Sequence, residues 1–163
     1  MCRFNFPYAE RGRKTPDRQS VLEATWGSMI ECLWDLAPGR LVVGGKSMGG
    51  RIASNVVAAG ASCDGLLFLG YPLHPPGRPE ALRVDHLAAI SAPMLFVAGT
   101  RDPLCPLGTL QATTRKLSGR AQIAVIEDGD HSFKVRRSSG RSIAEAWDEV
   151  ARKAFGWIES LLE

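Results

Sequence analysis

Leu41-Val42-Val43-Gly44-Gly45-Lys46-Ser47-Met48-Gly49-Gly50-Arg51-Ile52-Ala53 decides how the rest of the chain is read. The aliphatic run Leu41-Val42-Val43, with two β-branched residues, has the character of a short buried strand. Gly45-Lys46-Ser47-Met48-Gly49 follows and fits G-x-S-x-G, and the residues after it take helical spacing. Strand, glycine-flanked serine and helix together form the pattern of a sharp turn that lifts a serine hydroxyl above the end of a sheet. Gly45 and Gly49 are expected to be steric requirements, because a side chain on either would strike the adjoining strand or helix. A rival reading takes Gly45-Lys46-Ser47 as the end of a phosphate-binding G-x-x-x-x-G-K-[ST] loop. That motif needs glycine where Arg40 stands, Gly39 is one residue too early, and Leu41-Val42-Val43 reads as strand where the motif needs loop. The phosphate-loop reading is set aside.

Working toward the N-terminus, Pro38-Gly39 punctuates the chain before the strand. Leu22, Trp26, Met29, Ile30 and Leu33 recur at spacings of three and four, which predicts an amphipathic helix to about Leu36. Thr15-Pro16-Asp17 reads as its start, with a threonine cap, proline in the first turn and an acid behind it. Tyr8 to Lys14 is a polar, basic loop. Arg3 to Phe6 alternates polar and apolar residues and stops at Pro7, so it is expected to be a short strand.

Toward the C-terminus, a helix from about Gly49 to Ala59 would bury Ile52, Ala53, Val56 and Val57 and end at Gly60. Gly65-Leu66-Leu67-Phe68-Leu69 and Met94-Leu95-Phe96-Val97-Ala98-Gly99 are continuous apolar runs, fitting strands covered on both faces. Between them Tyr71 to Gly77 is too proline-rich for either element, and a short helix is expected around Glu80 to Ala89. A helix from about Leu107 to Leu117 leads to a strand over Gln122-Ile123-Ala124-Val125-Ile126. Ser142-Ile143-Ala144-Glu145 is a capping box opening a last helix, with Trp147, Val150, Ala151, Ala154, Ile158 and Leu161 on one face. Strands alternating with helices imply an α/β fold: one mostly parallel sheet with helices on both faces and right-handed crossovers. A single domain over residues 1–163 is expected, since no repeat, low-complexity segment or second domain is evident.

Composition narrows the classes. The chain is 45% hydrophobic and 23% charged, the balance of an ordinary globular protein, and no apolar run is long enough to cross a membrane. The N-terminus lacks the apolar core of a signal peptide. Cys2, Cys32, Cys63 and Cys105 are scattered without a C-x-x-C pair, which argues against a zinc site or a disulfide framework and for free thiols in a reducing, cytoplasmic compartment. A net charge of +3 is too weak to suggest a nucleic-acid partner. No metal or cofactor is expected.

In a parallel sheet, reactive groups gather beyond the carboxyl ends of the strands. Ser47 follows the Leu41-Val42-Val43 strand, Asp102 lies just past Gly99, and His131 follows the Gln122–Ile126 strand within Glu127-Asp128-Gly129-Asp130-His131-Ser132-Phe133. Serine hydroxyls are poor nucleophiles at neutral pH, so His131 would take the Ser47 proton and pass it to a leaving group. Asp102 would hold the imidazole in one tautomer. The Met48 backbone N–H would be one oxyanion donor, a contact worth about 2.7–4 kcal/mol of transition-state stabilisation. Taken singly, an Asp after a strand is more often a cap and a Gly-Asp-His loop more often a solvated turn. The order and the strand-end placement of the three carry the reading. Asp128 and Asp130 are weaker rival orienters of His131, because sequence neighbours on one turn seldom reach the far ring nitrogen, and His86, on an expected surface helix, is read as bland.

The elbow, Gly70-Tyr71-Pro72-Leu73-His74-Pro75-Pro76-Gly77, Gly99-Thr100-Arg101-Asp102 and Asp128-Gly129-Asp130-His131 together resemble a compact α/β-hydrolase family. That family is related to dienelactone hydrolases and includes the hydrolase-like domains of the NSL-complex-subunit and testis-expressed type. Arg3 to Tyr8 with Glu10-Arg11-Gly12-Arg13 is similar to the family's segment after its fourth strand. The resemblance implies an α/β-hydrolase fold and a Ser47–Asp102–His131 triad. It also implies N-terminal strands, and a His-Gly loop giving a second oxyanion donor, that have no counterpart here. The expected fold is therefore an N-terminally shortened α/β-hydrolase, with a truncated sequence favoured over a shortened, inactive variant.

The resulting expectation is a serine hydrolase cleaving a small ester or thioester through an acyl-enzyme on Ser47. The alternative is a non-catalytic hydrolase-like interaction module or an inactive truncated fragment. A small acyl substrate is the expected partner, with no membrane and no nucleic acid, and self-association is left open. Tyr71 and His74 are expected to line the pocket, on the family match and their place after a strand. Leu69 to Met94 is too short for a lid domain, which favours small or flexible acyl groups. Lys134, Arg136, Arg137 and Arg141, with Arg11, Arg13 and Lys14, would form a basic collar able to favour anionic acyl substrates, against the blander reading of a solvated face.

Overall fold

The structure is a computed structural model that describes residues 1–36 and 39–161. The expected stop at Pro38 lies outside the described residues. Four strands, β1 (Val42–Lys46), β2 (Gly65–Leu69), β3 (Met94–Gly99) and β4 (Ala121–Ile126), form one sheet in the order β1-β2-β3-β4. All three pairings are parallel, in the register Val43 with Leu66, Leu67 with Leu95 and Phe96 with Ile123. This is the parallel sheet that the apolar runs predict.

Side chains alternate along each strand and split the core in two. Val43, Leu66, Phe68, Met94 and Phe96 face one side, where they meet Leu22, Trp26 and Ile30 of α2 (Gln19–Leu36). Ile52, Ala53 and Val57 of α3 (Met48–Ala58) and Leu110 of α4 (Leu107–Thr114) join the same cluster. Leu95, Val97 and Ile126 face the other side and pack against Ala146, Val150 and Trp157 of α5 (Ile143–Ser160). Every residue of β3 is buried, as a strand covered on both faces requires. Both halves of the capping box at α5 form: the Ser142 hydroxyl accepts from the Glu145 N–H at 3.1 Å, and the Ser142 N–H donates to Glu145 Oε2 at 2.7 Å.

Several expectations need correction. Arg3 to Phe6 is not a strand; it precedes a short helix, α1 (Pro7–Glu10), in the stretch expected to be loop. The alternation of Phe4 and Phe6 does report burial: both pack against the core, and Phe4 meets Trp26 edge-on with ring centroids 4.8 Å apart. Alternation cannot report whether a neighbouring backbone offers hydrogen bonds, and a strand needs that neighbour. Helix α2 begins at Gln19 and not at Pro16; ahead of it Asp17 pairs with Arg13. The helix expected over Glu80 to Ala89 shrinks to a 3-10 turn, Asp85–Ala89. On α5 the buried face is rotated from the expected one: Trp157 and Ala146 are buried, whereas Trp147 is 37% exposed.

Strand β1 ends the sheet, so its outer edge has no strand partner among the described residues. The N-terminal segment runs beside it. A cavity of about 600 Å³ lies between them, walled by Phe4 and Phe6 on one side and by Gly44, Lys46 and Gly49 on the other. No described helix is long and apolar enough to cross a membrane.

Candidate active site

Ser47 sits between β1 and α3 with φ of 53° and ψ of −122°, a left-handed conformation that a residue with a side chain rarely takes. Its N–H donates to the Leu69 carbonyl at 2.9 Å, which ties the turn to the end of β2. Such a strained backbone persists only where its surroundings hold it. Two glycines do so by their lack of a side chain. A Cβ on Gly45 would lie 2.8 Å from the Gly50 nitrogen, and one on Gly50 would lie 2.6 Å from the Gly45 oxygen. Around Gly49, in contrast, a Cβ would meet nothing within 4 Å. The steric demand expected of Gly45 is present, and the one expected of Gly49 belongs to Gly50. Gly49 contributes its carbonyl, which accepts from Trp26 Nε1 at 3.1 Å.

Asp102 lies three residues beyond the end of β3, and His131 five beyond the end of β4. The chain turns back sharply at both places. Gly99 makes this close approach feasible, since a Cβ there would fall 2.1 Å from the Gly129 oxygen. Asp102 Oδ1 accepts from the Leu104 N–H at 2.8 Å, leaving Oδ2 to face His131 Nδ1 at 2.8 Å. His131 Nε2 lies 2.8 Å from Ser47 Oγ. The structure thus brings Ser47, His131 and Asp102 into one hydrogen-bonded chain, although 84 residues separate the first two in sequence. The tautomer with its proton on Nδ1 satisfies both contacts: N–H donates to a carboxylate that only accepts, and Nε2 accepts from the hydroxyl. The Asp102 side chain has no exposed surface and that of His131 is 23% exposed, so the chain runs from the interior outward.

Met48 is the first residue of α3, and its N–H has no preceding helical carbonyl to bond. It adjoins Ser47 at the start of that helix. Tyr71 and His74 lie on the loop after β2, and both are buried. The Tyr71 hydroxyl donates to the Arg83 carbonyl at 3.2 Å and lies 3.3 Å from both Ser54 Oγ and His86 Nε2. Burial pushes the Tyr71 phenol up to about 12. His74 donates from Nδ1 to the Pro75 carbonyl at 2.9 Å, while its Nε2 is buried with no partner among the described residues.

His86, read as bland from sequence, is part of this second cluster. Its Nε2 lies 2.8 Å from Ser54 Oγ, and burial first, then Arg51, pulls its basicity below that of an ordinary histidine. The signal was absent locally, because Ser54 lies 32 residues and Tyr71 15 residues away in sequence. Cys105 is buried close to Asp102, and its thiol is pushed up to about 12 by burial and then by that carboxylate, which keeps it a neutral thiol. Of the expected basic collar, Arg136 pairs with Asp128, Arg141 with Glu149 and Arg13 with Asp17, so much of its charge is answered within the chain. Among the described residues no group of three or more His, Cys, Asp or Glu is arranged to hold a metal ion.

The sequence profile of the alpha/beta hydrolase domain matches residues 1–159. Among solved structures, an alpha-beta serine hydrolase homologue from Coxiella burnetii superposes with a TM-score of 0.63 at 17% identity, over 86% of this chain and 62% of that one. A protein from Thermus thermophilus superposes with a TM-score of 0.65 at 21% identity, over 88% and 65%. An esterase from Pyrococcus furiosus gives 0.59 at 15% identity, over 80% and 60%. These likenesses establish the shared fold, and the chain spans less than two thirds of the length of each of the three.

Proposed function

Because this chain belongs to the alpha/beta hydrolase domain family, we propose that Ser47, His131 and Asp102 act as a catalytic triad cleaving a small ester or thioester through an acyl-enzyme. The observation that carries the reading is the unbroken chain of two 2.8 Å contacts from Asp102 through His131 to Ser47. His131 Nε2 takes the hydroxyl proton as Ser47 Oγ attacks the carbonyl carbon, and Asp102 stabilises the imidazolium that forms. The developing oxyanion is met by the Met48 N–H at the positive end of α3, an 11-residue helix. His131 then protonates the leaving alcohol or thiol. Water, deprotonated by the same nitrogen, hydrolyses the ester on Ser47.

The substrate is read as small because the connection from β2 to β3 holds only a 3-10 turn and no lid domain. His74 is the proposed pocket-lining residue, since its buried Nε2 has an unspent lone pair. Tyr71, with its hydroxyl engaged in the core, is assigned the part of holding that loop in place. Kinship with dienelactone hydrolases belongs to the same proposal and rests on the motifs around Ser47, Tyr71 and His131. A cytoplasmic location rests on free thiols, of which Cys2 and Cys32 are exposed.

Labelling with a fluorophosphonate probe tests the triad. Covalent labelling of the wild-type chain is expected, with complete loss in Ser47→Ala. Labelling that persists in Ser47→Ala refutes the assignment, and no labelling of either protein favours a non-catalytic interaction module.

A further inference from the structure

The segment that delivers His131 is closed by a residue that plays no part in the proton transfers. Asp128 is 6% exposed and holds φ of 58°, a conformation that aspartate and asparagine accept more readily than most residues. Each of its polar groups is engaged. Its N–H donates to Thr100 Oγ1 at 2.8 Å, and its carbonyl accepts from Arg101 Nη1 at 3.1 Å. Its Oδ2 accepts from the Arg136 N–H at 2.7 Å, and its Oδ1 accepts from Arg136 Nε at 2.6 Å. Arg101 Nη1 also lies 3.7 Å from Oδ2.

These partners come from two places that matter. Thr100 and Arg101 immediately precede Asp102. Arg136 closes the loop that begins at Asp128 and carries His131 between them. Asp128 therefore joins both ends of the His131 loop to the turn that holds Asp102. We propose that Asp128 is a positioning residue: clamped by Arg136 and bound to Thr100 and Arg101, it sets the distance and angle between His131 and Asp102. This inference rests on the triad reading above. Asp130, the neighbouring carboxylate, has a more local part, accepting from the Ser132 and Lys134 N–H groups at 2.7 and 2.9 Å within the turn itself. The Arg136 hydrogen bonds hold the Asp128 carboxyl below the usual carboxylate range, so the clamp stays charged at neutral pH.

Asp128→Asn separates this role from general stability, because asparagine keeps the shape and tolerates the positive φ while losing the charge-assisted pairing. Two readouts are compared in wild type and variant: the rate of fluorophosphonate labelling at Ser47, and the far-downfield proton resonance of His131 Nδ1–H bonded to Asp102. The expected result is a labelling rate lower by about 10²-fold, the scale on which an ångström of misplacement acts. A weakened or lost resonance is expected with it, in a variant whose lower melting temperature still leaves it fully folded under the assay conditions. Wild-type rate and resonance in Asp128→Asn overturn the proposal while leaving the triad standing. Should that variant fail to fold, Arg136→Gln, which spares the Asp128 backbone contacts, must show the same losses, and wild-type behaviour there overturns the proposal. If even the wild-type chain is unlabelled, the triad reading falls by itself and the resonance decides. A signal equal in wild type and variant, or absent from both, then overturns the positioning role.

Discussion

His131 meets one partner at each ring nitrogen, and both partners stand at strand ends, so its surroundings could be anticipated from the order of strands and loops. His86 is the opposite case. Its partners Ser54 and Tyr71 come from α3 and from the loop after β2, and neither lies close enough in sequence for a spacing rule to reach. The consequence of its burial is a pH-dependent stability. Burial and Arg51 lower its folded-state affinity for protons, while Asp85 and Glu23 act weakly in the other direction. A folded-state pKa below the unfolded value means that the unfolded chain binds more protons, so stability falls as pH drops below about 6.5. The midpoint of urea unfolding should therefore decrease from pH 7.5 to pH 5.5 more in wild type than in His86→Gln. Parallel decreases in the two proteins would show that His86 contributes nothing to the dependence. Asp128 was visible only as a carboxylate near His131; its clamp depends on Arg136, Thr100 and Arg101 meeting in space.

The elbow between β1 and α3 shows how far a motif can be read at the level of an element. Strand, serine and helix follow from three local signals: an aliphatic run, a glycine-rich turn and helical spacing. Which glycines matter sterically depends on what faces them: Gly45 meets the expected demand, and the one expected of Gly49 falls on Gly50. A Cβ on Gly50 would collide with the Gly45 carbonyl and crowd Phe68, while one on Gly49 would face open space. Gly49→Ala should accordingly raise stability by about 0.5–1 kcal/mol through helix propensity. Gly50→Ala should lower it, because a backbone oxygen must move to make room for the new Cβ. Urea titration of the two variants checks the contrast, and equal shifts of the same sign would contradict it. The same limit explains α5, where a stripe of apolar residues is legible but its rotation against the sheet is not. Trp157 is the buried tryptophan because Gly65 leaves room for it beside β2, whereas Trp147 lies edge-on against Phe133.

At the scale of the molecule, the sheet has an unusual boundary. The strand that carries Ser47 is an edge strand, flanked by a cavity and an N-terminal segment that packs through aromatic rings and makes no ladder. An edge with free backbone groups is a site for unwanted pairing unless something covers it. Removing residues 1–6 should therefore cost about 2 kcal/mol, the order expected from partly exposing two phenylalanines, and should promote self-association. Unfolding midpoints with light scattering measure both; an unaltered midpoint and a monodisperse sample would show that the segment protects nothing. The sequence alone determined the alternation of strands and helices, the parallel sheet and the strand-end positions of Ser47, Asp102 and His131, because periodicity and glycine placement act over a few residues. Tertiary structure decided the rest: that Arg3 to Phe6 forms no strand, that Gly50 and not Gly49 is pressed by its neighbours, and that His86 and Asp128 hold buried networks. Each of those depends on which distant segment lies alongside, and hydrogen-bond partners and steric neighbours exist only once the chain has packed.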